Sequence, residues 1–189
     1  MLFGISPLEP VPTVGVEPAL ERRDRVPATQ VSARRPEAFL AQLLKLSLEQ
    51  GSLSFWFHSK VEWFAHHESG RDRPLVRIGK SFNLKIAANG WLHCTIGKDF
   101  AGAYPPHTVY SQPDWHHIVV TWSEGKLALY GNGELFASGD YSPKSSQPGA
   151  RLYLGEPRQK GAQDGSCFDD FMIFARPLSE QQIQLLYRK

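Results

Sequence analysis

The side chains that could do chemistry in this chain are spaced against most of the chemistries they would serve. Cleavage of a glycosidic bond with retention needs two carboxyl groups about 5–5.5 Å apart. One strand supplies such a pair with acids at i and i+2 or i+4, which share a face. No E-x-D-x-E or similar pattern occurs on the expected strands, and Asp169 and Asp170 are adjacent, so on a strand they point opposite ways. A Ser-His-Asp hydrolase with a nucleophile elbow would show G-x-S-x-G, which is absent. His116-His117 lies in an apolar stretch whose alternation sends the two rings to opposite faces of a sheet. His66-His67-Glu68 lies in a loop, without the partner spacing that announces a transition-metal site. The glycine-rich pieces, Asn89-Gly90 and Gly131-Asn132-Gly133, join strand to strand and are hairpin turns, not phosphate cradles. No catalytic constellation is expected.

Aromatic residues are 12% of the chain, enough to serve both a core and a contact surface. Phe55, Phe57, Trp122, Phe168 and Phe174 are expected in the core. Trp63, Trp91 and Tyr104 sit near loops or hairpin starts, where a flat ring with a polar edge stacks on a sugar or anchors a partner. These three are the candidate glycan-stacking residues. Cys94 and Cys167 form neither a zinc set nor a disulfide framework, and both read as small residues in strands. Their pairing depends on Cα geometry.

The elements that must position these residues are mostly strands. In Gly51 to Phe57, Leu53, Phe55 and Phe57 alternate with Ser52, Ser54 and Trp56, the period of a strand with one apolar face. Leu75 to Ile78 is a second strand. Asn83–Ala88 and Trp91–Ile96 flank Asn89-Gly90, and Lys126–Tyr130 and Glu134–Ala137 flank a turn at Gly131 to Gly133. Asn-Gly favours the type I′ turn, whose twist matches paired strands. Trp115–Trp122, Arg151–Leu154 and Phe168–Phe174 complete the set. Leu178 to Lys189 reads as a helix with Ser179 as N-cap and Gln182 as its reciprocal capping-box partner. About eight to ten short strands with regular turns predict an antiparallel sandwich or jelly roll. A domain of about 140 residues buries roughly two-thirds of its unfolded surface, enough for stability without staples.

Residues 1–35 differ in kind. Prolines at 7, 10, 12, 18 and 27 forbid a long helix or a central strand, and the apolar residues follow neither period. This reads as an extended anchoring arm. Leu2 and Phe3, with Arg22, Arg23, Arg25, Arg34 and Arg35, are its candidate partner-binding residues, because arginine forks pair bidentately with carboxylates at interfaces. Residues 36–50 read as a short helix and connector: Pro36 suits the first helical position, and Phe39, Leu40, Leu43 and Leu44, with Leu46 as a further candidate, form one stripe. The helix ends between Leu44 and Glu49, where Leu44, Leu46 and Leu48 also alternate as a strand would. Residues 51–189 form the β-domain.

The runs WHHIVVTWSEGKLALYGNGELFASG (115–139), RLYLGE (151–156) and FDDFMIFARPLSEQQIQLLY (168–187), with GSLSFWF (51–57) before them, resemble a laminin G-like, concanavalin A-like jelly-roll domain. The resemblance implies an all-β antiparallel jelly-roll sandwich. Its members bind glycans, proteins or calcium, or act structurally, so the fold does not name the function. It places Asp169-Asp170 where the family often has a calcium ligand, with Asp164 nearby, but the family's N-terminal ligands have no counterpart here. No cofactor is expected, with calcium the one ion left open.

Net charge is +2, from 21 basic and 19 acidic residues mixed along the chain, so a nucleic-acid partner is not expected. No apolar run reaches the ~18–20 residues of a membrane helix. MLFGISPLEP has neither the basic start nor the apolar stretch of a Sec signal. A jelly roll displayed outside cells, made without a signal or disulfides, fits a virion protein folded in the host cytoplasm. The expectation is a non-enzymatic module that docks by its arm on protein subunits, or on further copies of itself, as a decoration, capsid-associated or tail protein. The alternative is a free carbohydrate-binding module, cytoplasmic or exported by a non-Sec route, or less favoured, an accessory domain of a glycoside hydrolase.

Overall fold

A computed structural model describes residues 47–58, 72–103, 114–142, 152–155 and 167–188. They form ten strands and one helix: β1 (Gly51–His58), β2 (Arg73–Ile78), β3 (Phe82–Ile86), β4 (Leu92–Ile96), β5 (Asp99–Ala103), β6 (Trp115–Ser123), β7 (Lys126–Gly131), β8 (Glu134–Gly139), β9 (Leu152–Leu154), β10 (Cys167–Phe174) and α1 (Glu180–Tyr187). Two five-stranded sheets result, ordered β10-β1-β6-β7-β8 and β5-β4-β3-β2-β9. Every pairing is antiparallel. This is the jelly-roll sandwich that the alternation predicted.

The core lies between the sheets. Leu53, Phe55 and Phe57 of β1 and Ile118, Val120 and Trp122 of β6 face Val76, Ile78, Phe82, Leu84, Leu92, Cys94 and Ile96 of the second sheet. Leu48, just before β1, is also in this core, and its carbonyl accepts from the Tyr141 hydroxyl. The Trp122 indole donates to the Ser47 carbonyl at 3.1 Å. Residues 48–50 are a bend, not the last turn of a helix; the remainder of the expected helix, residues 36–46, lies outside the described residues, as does the arm. Phe174 departs from expectation: it packs on the opposite face of the first sheet, with Leu178 and Ile183.

That opposite face is covered by α1. Ser179 caps it in a complete capping box with Gln182, as the sequence predicted. A helix of eight residues cannot hold itself in water, so its packing decides. Ile183 and Leu178 bury against Val119, Ala128 and Tyr130. The buried Ser52 hydroxyl accepts from the Leu178 N–H at 2.8 Å and donates to the Arg176 carbonyl at 3.0 Å, tying the approach to α1 onto β1.

Two turns show how local chemistry and register divide the work. Asn132 and Gly133 both have positive φ (51° and 85°), giving the expected type I′ turn with Gly131 opposite Glu134. The Asn89-Gly90 turn is different. Only Gly90 has positive φ (84°), Gly90 N–H bonds to the Ala87 carbonyl, and Ala87 N–H bonds to the Trp91 carbonyl. Asn89 therefore ends an ordinary turn and Gly90 takes the left-handed bulge position of a three-residue loop. The flanking strands shorten to Phe82–Ile86 and Leu92–Ile96, not Asn83–Ala88 and Trp91–Ile96. Strand β5 was not expected at all: DFAGA is poor in strand-favouring residues, and pairing with β4 makes it a strand.

Candidate functional site

The outer face of the second sheet carries the chemistry. No described helix or strand packs on it, and antiparallel register lines its outward side chains into rows. Tyr153 pairs with Arg77, Arg77 with Asn83, Asn83 with Thr95, and Thr95 with Phe100. One row thus crosses all five strands in the order Tyr153, Arg77, Asn83, Thr95, Phe100. At about 4.8 Å between strands the row is roughly 19 Å long. A second row, Pro74, Lys85, His93 and Gly102, runs beside it.

Each position faces outward for a local reason. In β3 and β4, Phe82, Leu84, Ile86, Leu92, Cys94 and Ile96 are buried, so Asn83, Lys85, His93 and Thr95 take the other face. In β2, a register shift between Pro74 and Val76 absorbs Leu75, which keeps Val76 and Ile78 inward and puts Arg77 outside.

Aromatic rings close the row at both ends. The Arg77 guanidinium lies over the Tyr153 ring, 4.8 Å from its centroid, a cation–π arrangement that orients the guanidinium. At the other end the His93 and Phe100 rings meet edge to face at 4.6 Å. The Phe100 ring lies along its own strand above Gly102, where a Cβ would sit 2.8 Å from it, so only glycine leaves that space. Phe100 is 45% exposed, so part of its ring is open at this face.

The electrostatics of the face are cationic. Lys85 contacts the Asp72 carboxylate, which also accepts the Ala88 N–H at 3.0 Å. The hydrogen bond from Lys85, helped by that from Ala88 and opposed by burial, holds the Asp72 carboxyl below its ordinary range. Burial pushes the His93 ring below its ordinary value; nearby Lys85 adds to this and Asp72 opposes it. Among the outward residues of the five strands there is no carboxylate, and Arg77 has no acidic partner among the described residues.

The expected site residues fare unequally. Trp91 is half-buried in the β3–β4 turn, two residues before His93 and on the same strand parity, beside this face. Trp63 and Tyr104 lie outside the described residues. So do Leu2, Phe3, Arg22, Arg23, Arg25, Arg34 and Arg35, and the His66-His67-Glu68 and Asp164 positions. Tyr153, Arg77 and Phe100 were missed. Strand alternation marks each as outward, but nothing local shows that they align.

Asp169 and Asp170 do not simply alternate. Ser54 pairs with Met172 and Trp56 with Asp169, so Asp170 and Phe171 together oppose Phe55 in a bulge, with Asp170 at φ 46° and its N–H on the Asp169 carboxylate at 2.8 Å. Among the described residues, no group of three His, Cys, Asp or Glu side chains is placed to hold a metal ion. Both cysteines are buried, Cys94 in β4 and Cys167 in β10, and no disulfide joins them.

Away from this face, a depression of about 600 Å³ lies between α1 and the β7–β8 hairpin, lined among others by Tyr130, Leu135, Glu180 and Leu185. Within its lining, Gln184 donates to the Gly133 carbonyl at 2.7 Å, joining α1 to the hairpin.

Residues 39–184 match the family described as the concanavalin A-like lectin/glucanases superfamily. Among solved structures, the chain is similar to the binding domain of botulinum neurotoxin DC in complex with SialylT, at 17% identity and a TM-score of 0.59 over 74% of this chain and 35% of that one. It is also similar to the binding domain of botulinum neurotoxin serotype D, at 18% identity and 0.58 over 75% and 37%. The receptor binding domain of botulinum neurotoxin type G follows at 14% and 0.57 over 74% and 38%. At these identities the likeness is one of fold, and the chain spans little more than a third of those solved chains. No curated protein matches by sequence.

Proposed function

We propose that this chain, which belongs to the concanavalin A-like lectin/glucanases superfamily, is a non-catalytic binding module that holds a saccharide against the outer face of its second sheet. One observation carries the reading: the row from Tyr153 to Phe100, with aromatic rings at both ends and hydrogen-bonding side chains between them. Flat rings offer stacking surface to a sugar, and Arg77, Asn83 and Thr95 supply donors along its length. The outward residues lack the carboxyl pair that hydrolysis of a glycosidic bond requires. Titration with a panel of oligosaccharides, followed by amide chemical shifts, tests it. Saturable shifts on β2, β3, β4 and β9, lost in Phe100→Ala and Tyr153→Ala, support the reading. Binding that maps elsewhere or survives both substitutions overturns it. Trp91→Ala tests in the same titration whether the β3–β4 turn extends the surface.

A second reading concerns residues 1–35, whose prolines, scattered apolar residues and arginines favour docking on another protein. A stiff extended segment loses little entropy when it binds. On this reading the arm anchors the module in a larger assembly such as a virion, as a decoration, capsid-associated or tail protein, with the sheet face displayed. Sedimentation of material from the native source, full length beside a form lacking residues 1–35, decides. Co-sedimentation of only the full-length form supports anchoring; equal behaviour rejects it.

A further inference from the structure

We infer that the ligand of the second sheet's outer face is an anionic saccharide, its carboxylate or sulfate received by Arg77. The inference rests on the saccharide reading above and narrows it to a chemical class. Arg77 carries the positive charge of this face, because Lys85 is paired with Asp72 and burial lowers the proton affinity of the His93 ring, and no carboxylate stands among the outward residues. Asp72, at the margin, is already engaged by Lys85 and the Ala88 N–H. Arg77 is exposed, and no described carboxylate neutralises it.

The inventory of donors and acceptors leads the same way. The hydroxyls of a neutral sugar need acceptors as well as donors. The row offers five N–H donors at Arg77, two more at Asn83 and one hydroxyl at Thr95, against two side-chain acceptor oxygens outside Tyr153. A donor-rich, acceptor-poor row suits an oxyanion. The Tyr153 ring under the guanidinium holds it in place, so its N–H edge is oriented in advance for a two-pronged contact with a planar carboxylate or a sulfate.

The test titrates the full-length chain with three probes: hexagalacturonate, a carboxylate-free sulfated galactan hexasaccharide, and neutral cellohexaose. At least one acidic probe is expected to bind ten-fold or more tightly than cellohexaose, with affinity falling as salt rises. Binding by hexagalacturonate alone identifies the carboxylate as the recognised group, and binding by the galactan alone identifies the sulfate. Arg77→Gln is expected to weaken the acidic probe at least ten-fold, and Arg77→Lys to restore only part of that. Cellohexaose binding as tightly as both acidic probes, unaffected by Arg77→Gln yet lost in Phe100→Ala, overturns the anionic assignment and leaves the saccharide reading intact. No binding by any of the three overturns both.

Discussion

The carbonyl oxygen of Phe100, on β5, occupies the place where a side chain on Gly139, on β8, would begin: a Cβ there would lie 2.1 Å from that oxygen. The two sheets therefore meet backbone to backbone along this edge, and the contact is reinforced by the Ser142 N–H donating to the Asp99 carboxylate at 3.0 Å. The backbone of the aromatic residue at one end of the Tyr153–Phe100 row is thus fixed by the closure of the sandwich itself.

Gly139→Ala should force β5 and β8 apart. Overpacking of this kind costs about 1–3 kcal/mol, and the urea midpoint should fall accordingly. Shifts should concentrate at residues 99–103. An unchanged midpoint would show that β5 and β8 admit a methyl group between them without cost.

Ser52→Ala leaves the Leu178 N–H without its acceptor and the Arg176 carbonyl without its donor. Unsatisfied buried groups cost about 1–3 kcal/mol. Hydrogen exchange in residues 180–187 should accelerate before that of β1 and β6, because α1 depends on this tie. Uniform acceleration across the domain would contradict that dependence.

His117 is buried between Trp56 and Tyr187, with ring centroids 5.2 and 6.2 Å away, and burial lowers its pKa from 6.5 to about 4. The unfolded ring takes up its proton at higher pH than the folded one, so stability is full above pH 6.5 and declines as pH falls toward 4. At 1.36 kcal/mol per unit the loss is at most roughly 3 kcal/mol. Urea midpoints measured between pH 7.5 and 4 should show this slope in the wild type and a flatter one in His117→Asn. Parallel slopes in the two proteins would rule the ring out as the source.

Asn132 does two things: it accepts φ 51° in the turn, and its side-chain oxygen accepts the His117 N–H at 2.9 Å. Asn132→Gly keeps the first and loses the second, at about 1 kcal/mol. Asn132→Ala loses both and should cost about 1 kcal/mol more, since a Cβ disfavours positive φ. Thermal melts of the pair separate the contributions, and equal melting points would mean that the backbone conformation adds nothing.

Cys94 is enclosed in the core, where burial pushes its thiol up and out of the reactive range. In a Cys167→Ser background it should react with a thiol reagent only after unfolding. Prompt reaction under native conditions would show that β4 opens locally.

Much of this fold is legible from local chemistry. The alternation of Leu53, Phe55 and Phe57 marks β1 and its inward face, Asn132-Gly133 marks a type I′ hairpin, and Ser179 with Gln182 marks the start of α1. Each signal lies within a few residues, so local chemistry is enough to specify them. The tertiary structure decided what depends on distant partners. β5 is a strand because β4 supplies its hydrogen bonds, Asn89-Gly90 is a bulged loop because Ala87 pairs with Trp91, and Asp170 leaves the strand path because Phe55 is opposed by two residues. The candidate site belongs to this second class. Tyr153, Arg77, Asn83, Thr95 and Phe100 come from five strands, and each sequence segment shows only that its own residue faces outward. That they stand in one row is a matter of register, which the strand pairings set and no single segment contains.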